Sequence, residues 1–258
     1  MVTAQSDRSR ALQHREVTMS EPMVTAQSDR SRAIYEEFDA KRSAIVYETS
    51  TILMKIVDPR GRVREREMES WSFKKGEVSR SLTRFIAPAD VRGTGFLNIR
   101  EGNNEVQRLY LPALNRVQTI ASGQRGDRFM GSDFTYEDMG ELNIDDFDFQ
   151  TIREDVANHS ILIKATRKSP STYTYAHFLI DTKRSLLLEA SYFNTDDVLI
   201  RKLVAENHVE VKNGIWRSDK LTMRDVRQNR YTELIWRART LDQPIDDVIF
   251  TERNLSRF

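Results

Sequence analysis

Apolar and polar positions alternate with a period of two along most of the chain, the pattern of strands that bury one face. Ile52, Met54 and Ile56 interleave with Leu53, Lys55 and Val57, and Trp71 and Phe73 share a face across Ser72. Turn chemistry punctuates these runs: DPRG at Asp58 to Gly61, KKG at Lys74 to Gly76, EGNN at Glu101 to Asn104, DTKR at Asp181 to Arg184, NTDD at Asn194 to Asp197 and KNG at Lys212 to Gly214. The pattern predicts strands over 44–57, 63–74, 79–87, 94–100, 106–111, 115–121, 149–155, 160–166, 172–180, 186–193, 198–211, 215–226 and 230–238. So many antiparallel strands joined by short loops must curl or close, since a flat sheet of more than ~10 strands exposes long edges.

Three segments break the alternation. From Ser28, where Ser28 and Asp29 can cap free N–H groups and Ile34 and Phe38 lie one turn apart, a helix ending near Arg42 is expected. Between Arg125 and Asp148, glycine and acidic residues replace the pattern, and GSDFTYEDM (Gly131 to Met139) reads as a loop with a short helical turn. Pro244 to Leu255 returns to helical spacing through Ile245, Val248, Ile249 and Leu255, which predicts a small terminal helix plugging one mouth of the curled sheet. At the other end, MVTAQSDRSRA occurs at Met1 to Ala11 and again at Met23 to Ala33, a duplication rather than a structural repeat. Residues 1–27 are therefore expected to form a disordered leader, and residues 28–258 a single domain. The leader is polar and carries no apolar run of the kind an export signal needs.

Composition narrows the function. The chain has 258 residues, with 40 basic and 39 acidic side chains, a charge of +1, 39% apolar content and no cysteine. No transmembrane helix is expected, because no run approaches ~18 apolar residues. Nucleic acid is not an expected partner, because a basic excess is absent. Without cysteine there is no disulfide, thiol nucleophile or lipid-modified cysteine. Enzyme motifs are missing: the chain has no G-x-S-x-G, H-E-x-x-H, P-loop or G-x-G-x-x-G pattern, only GTG at Gly93 to Gly95. His14, His159, His177 and His208 are far apart and read as structural. Asp133, Glu137, Asp138, Asp145, Asp146 and Asp148 form the densest carboxylate group, without the spacing of a calcium loop; capping and solvation are its expected role. No catalytic residue, cofactor or metal is expected. Aromatics carry another signal: Trp71, Phe73, Phe96, Tyr110, Tyr173, Tyr175, Trp216 and Trp236 all fall in predicted strands, either as an ordinary core or as the wall of an apolar hollow inside a curved sheet.

Three runs, RFIAPADVRGTGFL (Arg84 to Leu97), RLYLPALNRVQTI (Arg108 to Ile120) and DRFMGSDFTYEDM (Asp127 to Met139), resemble in order and spacing the outer membrane lipoprotein-sorting protein family, relatives of the LolA and LolB carriers. The likeness runs from about Ala33 to the end, including MRDV at Met223 to Val226 and FTERNL at Phe250 to Leu255. It implies a mainly β fold, an incomplete antiparallel β-barrel (half-barrel) wrapped around short helices, with an apolar cavity that carries acyl chains across the periplasm. Export is implied too, although the leader shows no signal. The missing cysteine fits a soluble LolA-like shuttle better than an anchored LolB-like acceptor.

A carrier answers a physical need, since a ~16-carbon chain left in water costs on the order of 12 kcal/mol. On this reading the acyl cavity is lined by the strand aromatics Trp71, Phe73, Phe96, Tyr110, Tyr173, Tyr175, Trp216 and Trp236 with Leu109, Leu111, Leu221 and Met223. Phe129, Met130, Gly131, Ser132, Asp133, Phe134, Tyr136, Glu137, Asp138 and Met139 form either a mobile lid or mouth, whose carboxylates meet a basic partner or headgroup counter-charge, or a packed plug. The implied partners are lipoprotein acyl chains or a lipid, an inner-membrane transporter such as an RND-type export system and an outer-membrane acceptor, with the carrier a monomer. The alternative is a lipid-sensing periplasmic domain that regulates a signalling partner; that reading favours a second domain, for which there is no room after Phe258. An outer-membrane β-barrel fails because Arg201, Lys202, Glu206 and Glu210 put charge on both parities of one strand.

Overall fold

Turn chemistry sets the order of the strands. At the first hairpin the Asp58 carboxylate accepts from the N–H groups of Arg60 and Arg62 at 2.9 and 3.0 Å, and Gly61 takes φ 76°, a left-handed conformation open to glycine. A computed structural model describes residues 21–169 and 171–257. Its strands are β1 (Tyr47–Val57), β2 (Val63–Lys75), β3 (Val78–Ala87), β4 (Gly95–Glu101), β5 (Asn104–Leu111), β6 (Arg116–Thr119), β7 (Phe147–Asp155), β8 (Ser160–Arg167), β9 (Tyr175–Asp181), β10 (Leu186–Phe193), β11 (Leu199–Lys212), β12 (Ile215–Asp225) and β13 (Arg230–Leu241). They form one antiparallel sheet in the order β6-β5-β4-β3-β2-β1-β13-β12-β11-β10-β9-β8-β7. Two meanders are thus zipped together where β1 pairs with β13, and β6 and β7 are left as unpaired edges. The result is the expected incomplete antiparallel barrel, each strand falling within a few residues of its predicted span.

Pleating sorts the side chains. Ile52, Met54 and Ile56 of β1, Met68 of β2, Phe85 of β3, Phe96 of β4, Ile161 and Ile163 of β8, Phe178 and Ile180 of β9 and Leu234 of β13 face inward and form the main core. The opposite parity carries charge in cross-strand pairs, such as Lys55–Glu65 at 3.0 Å, Lys202–Glu189 at 2.8 Å and Lys220–Glu233 at 2.9 Å. The large number of charged residues is therefore mostly the solvated convex face of a sheet with one apolar side.

Helix α1 (Glu21–Ser43) lies in the concavity against β7. It begins seven residues before the expected Ser28 start, because Pro22 falls in the first turn, where its missing N–H has no helical partner to lose. Residues 21–27 are consequently helical rather than part of a disordered leader; the remainder of that expectation, including His14, lies outside the described residues. The buried anchor of α1 is Tyr35, in ring contact with Phe38, Phe149 and Phe178 at 5.1–5.8 Å, while Ile34 and Phe38 pack beside it half-buried.

The C-terminal segment does not plug a mouth. A 3-10 turn (Asp247–Phe250) and helix α2 (Glu252–Leu255) lie on the convex side, where Phe250 and Leu255 join Leu82, Leu97 and Tyr110 in a second core. Arg84 donates to the Asn254 carbonyl at 2.8 Å, and Arg108 pairs with Glu252 at 3.0 Å. Apolar residues on both parities of β4 and β5 drive this placement: Leu97 and Tyr110 point away from the concavity and would otherwise meet water.

Candidate ligand cavity

The concavity is not filled throughout. A hollow of about 410 Å³, partly open to solvent, remains between α1, the 134–142 segment and strands β1 to β3 and β9 to β13. Tyr35 and Phe38 of α1, Phe178 of β9, Leu203 and Ala205 of β11, Leu221 and Met223 of β12 and Trp236 of β13 supply its apolar wall. Ala205 matters because its small side chain faces Leu221 in register, leaving space that a larger residue would occupy.

Of the residues expected to line a cavity, Tyr173, Trp216, Leu221, Met223 and Trp236 border this hollow, and Phe73 reaches its rim while packing against the second, convex-side core. Phe96 and Leu109 point inward but are packed in the main core, with Leu111 against it. Trp71 and Tyr110 belong to the convex side with the C-terminal segment. Tyr175 is also on the convex side, stacked on Phe193 at 4.8 Å with the Lys164 ammonium 4.0 Å from its ring centre. Sequence reasoning missed Tyr35, Phe38, Phe178, Leu203 and Ala205. The i, i+3 spacing of Tyr35 and Phe38, and the period-two run through Leu203 and Ala205, were the signals available.

The Phe129–Met139 segment packs as a plug. Phe129 is fully buried, in ring contact with Phe85, Phe96 and Tyr136 at 5.2–6.0 Å. Met130 and Gly131 adopt φ 49° and 73°, and their carbonyls accept from Arg66 at 2.5 Å and Arg230 at 2.8 Å. Ser132 and Phe134 are buried, and Met139 packs against the core. The carboxylates meet this chain's own cations. Asp133 pairs with Arg128 at 2.8 Å and Arg230 at 2.7 Å, and accepts from the Thr232 hydroxyl at 2.8 Å. Burial pushes the Asp133 carboxyl up, and Thr232, Arg230 and Arg128 offset part of that shift. Glu137 pairs with Arg167 at 2.7 Å and accepts from Ser171, and Asp138 pairs with Arg201 at 2.5 Å.

One end of the hollow is polar. Arg42, at the C-terminus of α1, and Lys74 of β2 both reach Glu141, at 2.5 and 3.2 Å, and Asp39, at 3.2 and 3.4 Å. Burial opposes ionisation of Glu141, but Arg42 and Lys74 outweigh it and hold the carboxyl below its ordinary range. Glu48 of β1 pairs with Arg239 of β13 at 2.6 Å. Glu137, Glu141 and Leu142 also border a second, polar cleft of about 690 Å³, so the same loop separates an apolar space from a polar one. His159 is exposed on a turn, and His208 shares a hydrogen bond with Ser218 at 3.0 Å. Among the described residues, no three His, Cys, Asp or Glu side chains come together as a metal site. No helix among them is long and apolar enough to cross a membrane.

An open antiparallel half-barrel wrapped around a helix is a LolA-like fold. A family described only as an uncharacterized protein matches residues 77–257, most of the chain, and the protein belongs to that family, whose fold relatives here are outer membrane lipoprotein-sorting and LolA superfamily proteins. An outer membrane lipoprotein-sorting protein domain from Vibrio parahaemolyticus superposes with a TM-score of 0.84 at 25% identity, over 89% of this chain and 100% of that one. A DUF1329 family protein from Desulfovibrio piger gives 0.82 at 24% identity, over 89% and 99% of the two chains. A LolA superfamily protein from Nitrosomonas europaea gives 0.68 at 17% identity, over 87% and 98%. A search of curated proteins returns no significant match.

Proposed function

We propose that this protein is a non-enzymatic periplasmic carrier that shelters an acyl chain of a lipoprotein or lipid in the hollow beneath α1. The observation that carries the reading is an unfilled apolar space inside a LolA-like half-barrel, bounded by Tyr35, Phe178, Leu221, Met223 and Trp236. Its volume, about 410 Å³, lies within the ~300–1,000 Å³ range of small-molecule pockets. The hollow is itself partly open to solvent, which supplies the second requirement, a way in that does not require breaking a closed barrel. In the cell, such a carrier would collect its cargo from an inner-membrane transporter, such as an RND-type system, and pass it to an outer-membrane acceptor.

Native mass spectrometry of the full chain purified from a membrane-bearing host tests the binding step. The expected result is a copurified acyl-chain ligand near one per protein; a chain that neither copurifies with nor takes up any such ligand overturns the proposal. Depletion in the native host tests transport, since cargo should then accumulate at the inner membrane.

A further inference from the structure

The basic side chains around the hollow are not equivalent. Arg42 and Lys74 share Asp39 and Glu141, Arg80 reaches Asp247 at 3.3 Å, and Arg239 is held between Glu48 and Asp219. Arg217 borders the same space, and among the described residues it has no carboxylate within 4.0 Å. Its guanidinium donates instead to two main-chain carbonyls, Trp216 at 3.1 Å and Arg42 at 2.7 Å, which fix its position without neutralising it. Burial pushes its pKa down to about 10, so it stays charged at neutral pH in a setting that disfavours charge. Arg217 is half-buried, and the carboxylate that offsets its burial, Glu48, is already engaged by Arg239; a guanidinium so placed is shaped to take two oxygens of one oxyanion.

Neighbouring features extend the pattern. Arg217 has the inward parity of Leu221 and Met223 on β12, so the charge and the apolar wall lie on one strand face, spread over roughly 20 Å at the usual rise per residue. Ser79, also bordering the hollow, is buried with a hydroxyl that has no partner.

We propose, on the basis of the carrier reading, that Arg217 anchors the head of the ligand. The hollow takes an amphiphile with an oxyanion head, carboxylate or phosphate, held at Arg217, and its chain runs along Leu221, Met223 and Trp236. This assigns a polarity to the bound molecule: head toward the C-terminal end of α1, tail toward the plug.

The test is competition against a neutral fluorescent probe, N-phenyl-1-naphthylamine, on the full chain. Palmitate, hexadecyl phosphate and methyl palmitate are compared, the last with its charge removed. Wild type is expected to favour at least one of the two anions over the ester by about tenfold or more, the yield of one charge-assisted contact. Palmitate leading points to a free fatty acid, and the phosphate leading points to a phospholipid-type head. Arg217→Gln is expected to abolish the preference while keeping affinity for the ester, and Arg217→Lys to keep part of it. Equal binding of all three by wild type, or an undiminished preference in Arg217→Gln, overturns the anchor and leaves the carrier standing. Failure of every ligand to displace the probe overturns both. The wild-type comparison decides the matter even if the variants do not fold.

Discussion

Filling the hollow from inside is the most direct perturbation of the carrier reading, and Ala205 is the place to do it. Ala205 is buried on β11, opposite Leu221 in register, and borders the apolar space. Ala205→Phe sends a ring into that space. In a packed core such an insertion costs ~1–3 kcal/mol through strain. A hollow of about 410 Å³ accepts it with less, and the expected change in stability is under ~1 kcal/mol in either direction. Binding should respond differently. A ring that displaces three or four methylenes of a bound chain removes ~0.8 kcal/mol for each, or ~3 kcal/mol in all, roughly a hundredfold in affinity. Urea unfolding supplies the first number and displacement of the fluorescent probe by palmitate the second. A loss of ~3 kcal/mol in stability would show that Ala205 faces packed atoms. Unchanged affinity would show that the ligand, if any, sits elsewhere. Either result refutes the reasoning.

Gly95 bears on the C-terminal segment, because a Cβ there would lie 2.6 Å from Leu255 Cδ1 and 3.1 Å from its carbonyl oxygen. Gly95→Ala should cost ~1–2 kcal/mol and speed amide exchange of residues 247–255 without altering ligand affinity, which exchange mass spectrometry resolves. Arg201→Met removes the partner of Asp138, in a pair whose side chains are 7% and 10% exposed, and leaves that carboxylate only the N–H and hydroxyl of Thr135. The expected loss is ~3–5 kcal/mol by denaturant titration, and a loss below ~1 kcal/mol would show that the pair does not hold the plug. Glu141 predicts an acid dependence. Its folded pKa lies below the ordinary 4.5, so the stability it provides is present above that value and lost as pH falls through the folded one. Wild type should therefore lose stability more steeply than Glu141→Gln below pH ~4.5, and parallel profiles would exclude the linkage.

The strand order was legible because local chemistry specifies it. Asp58 with Gly61, and the similar turns at Gly76, Gly102 and Gly214, close hairpins whatever lies beyond them, and antiparallel meanders follow. Facing was legible only where one parity is apolar. Lys55 marks the outer face of β1, whereas Phe96–Leu97 and Leu109–Tyr110–Leu111 are ambiguous, with both parities apolar and no charge between them. The ambiguity has a physical source: Phe250 and Leu255 return to bury the convex side of β3 to β5, so these strands have two dry faces. A reading that assumes one buried face assigns Trp71 and Tyr110 to the wrong side. The plug was recognisable as an interruption but not as a fixed object, because its partners are remote. Thr232 meets Asp133 across 99 residues, and Arg201 meets Asp138 across 63.

Those long-range pairs also decide which wall of the hollow is firm. The plug is fixed by buried ion pairs to β11 and β13, by ring contacts and by the Arg66 and Arg230 bonds to its carbonyls. Displacing it would separate Asp133 from Arg230 and Asp138 from Arg201, at several kcal/mol for each buried pair. Helix α1, the opposite wall, is held through side chains rather than a backbone ladder: Ser31 with Thr151 at 2.5 Å, Glu37 with Ser185 at 2.9 Å and Arg30 with Glu154 at 2.5 Å on the sheet side, and Arg42 with Glu141 of the loop that follows the plug. The Arg30 contact is exposed, and such pairs contribute ~0–1 kcal/mol each. The proposed anchor lies beside this helix, where Arg217 bonds to the Arg42 carbonyl at its end. A head held at Arg217 would therefore sit at the joint between the last turn of α1 and β12, a contact that ties the proposed site to the helix as well as to the sheet.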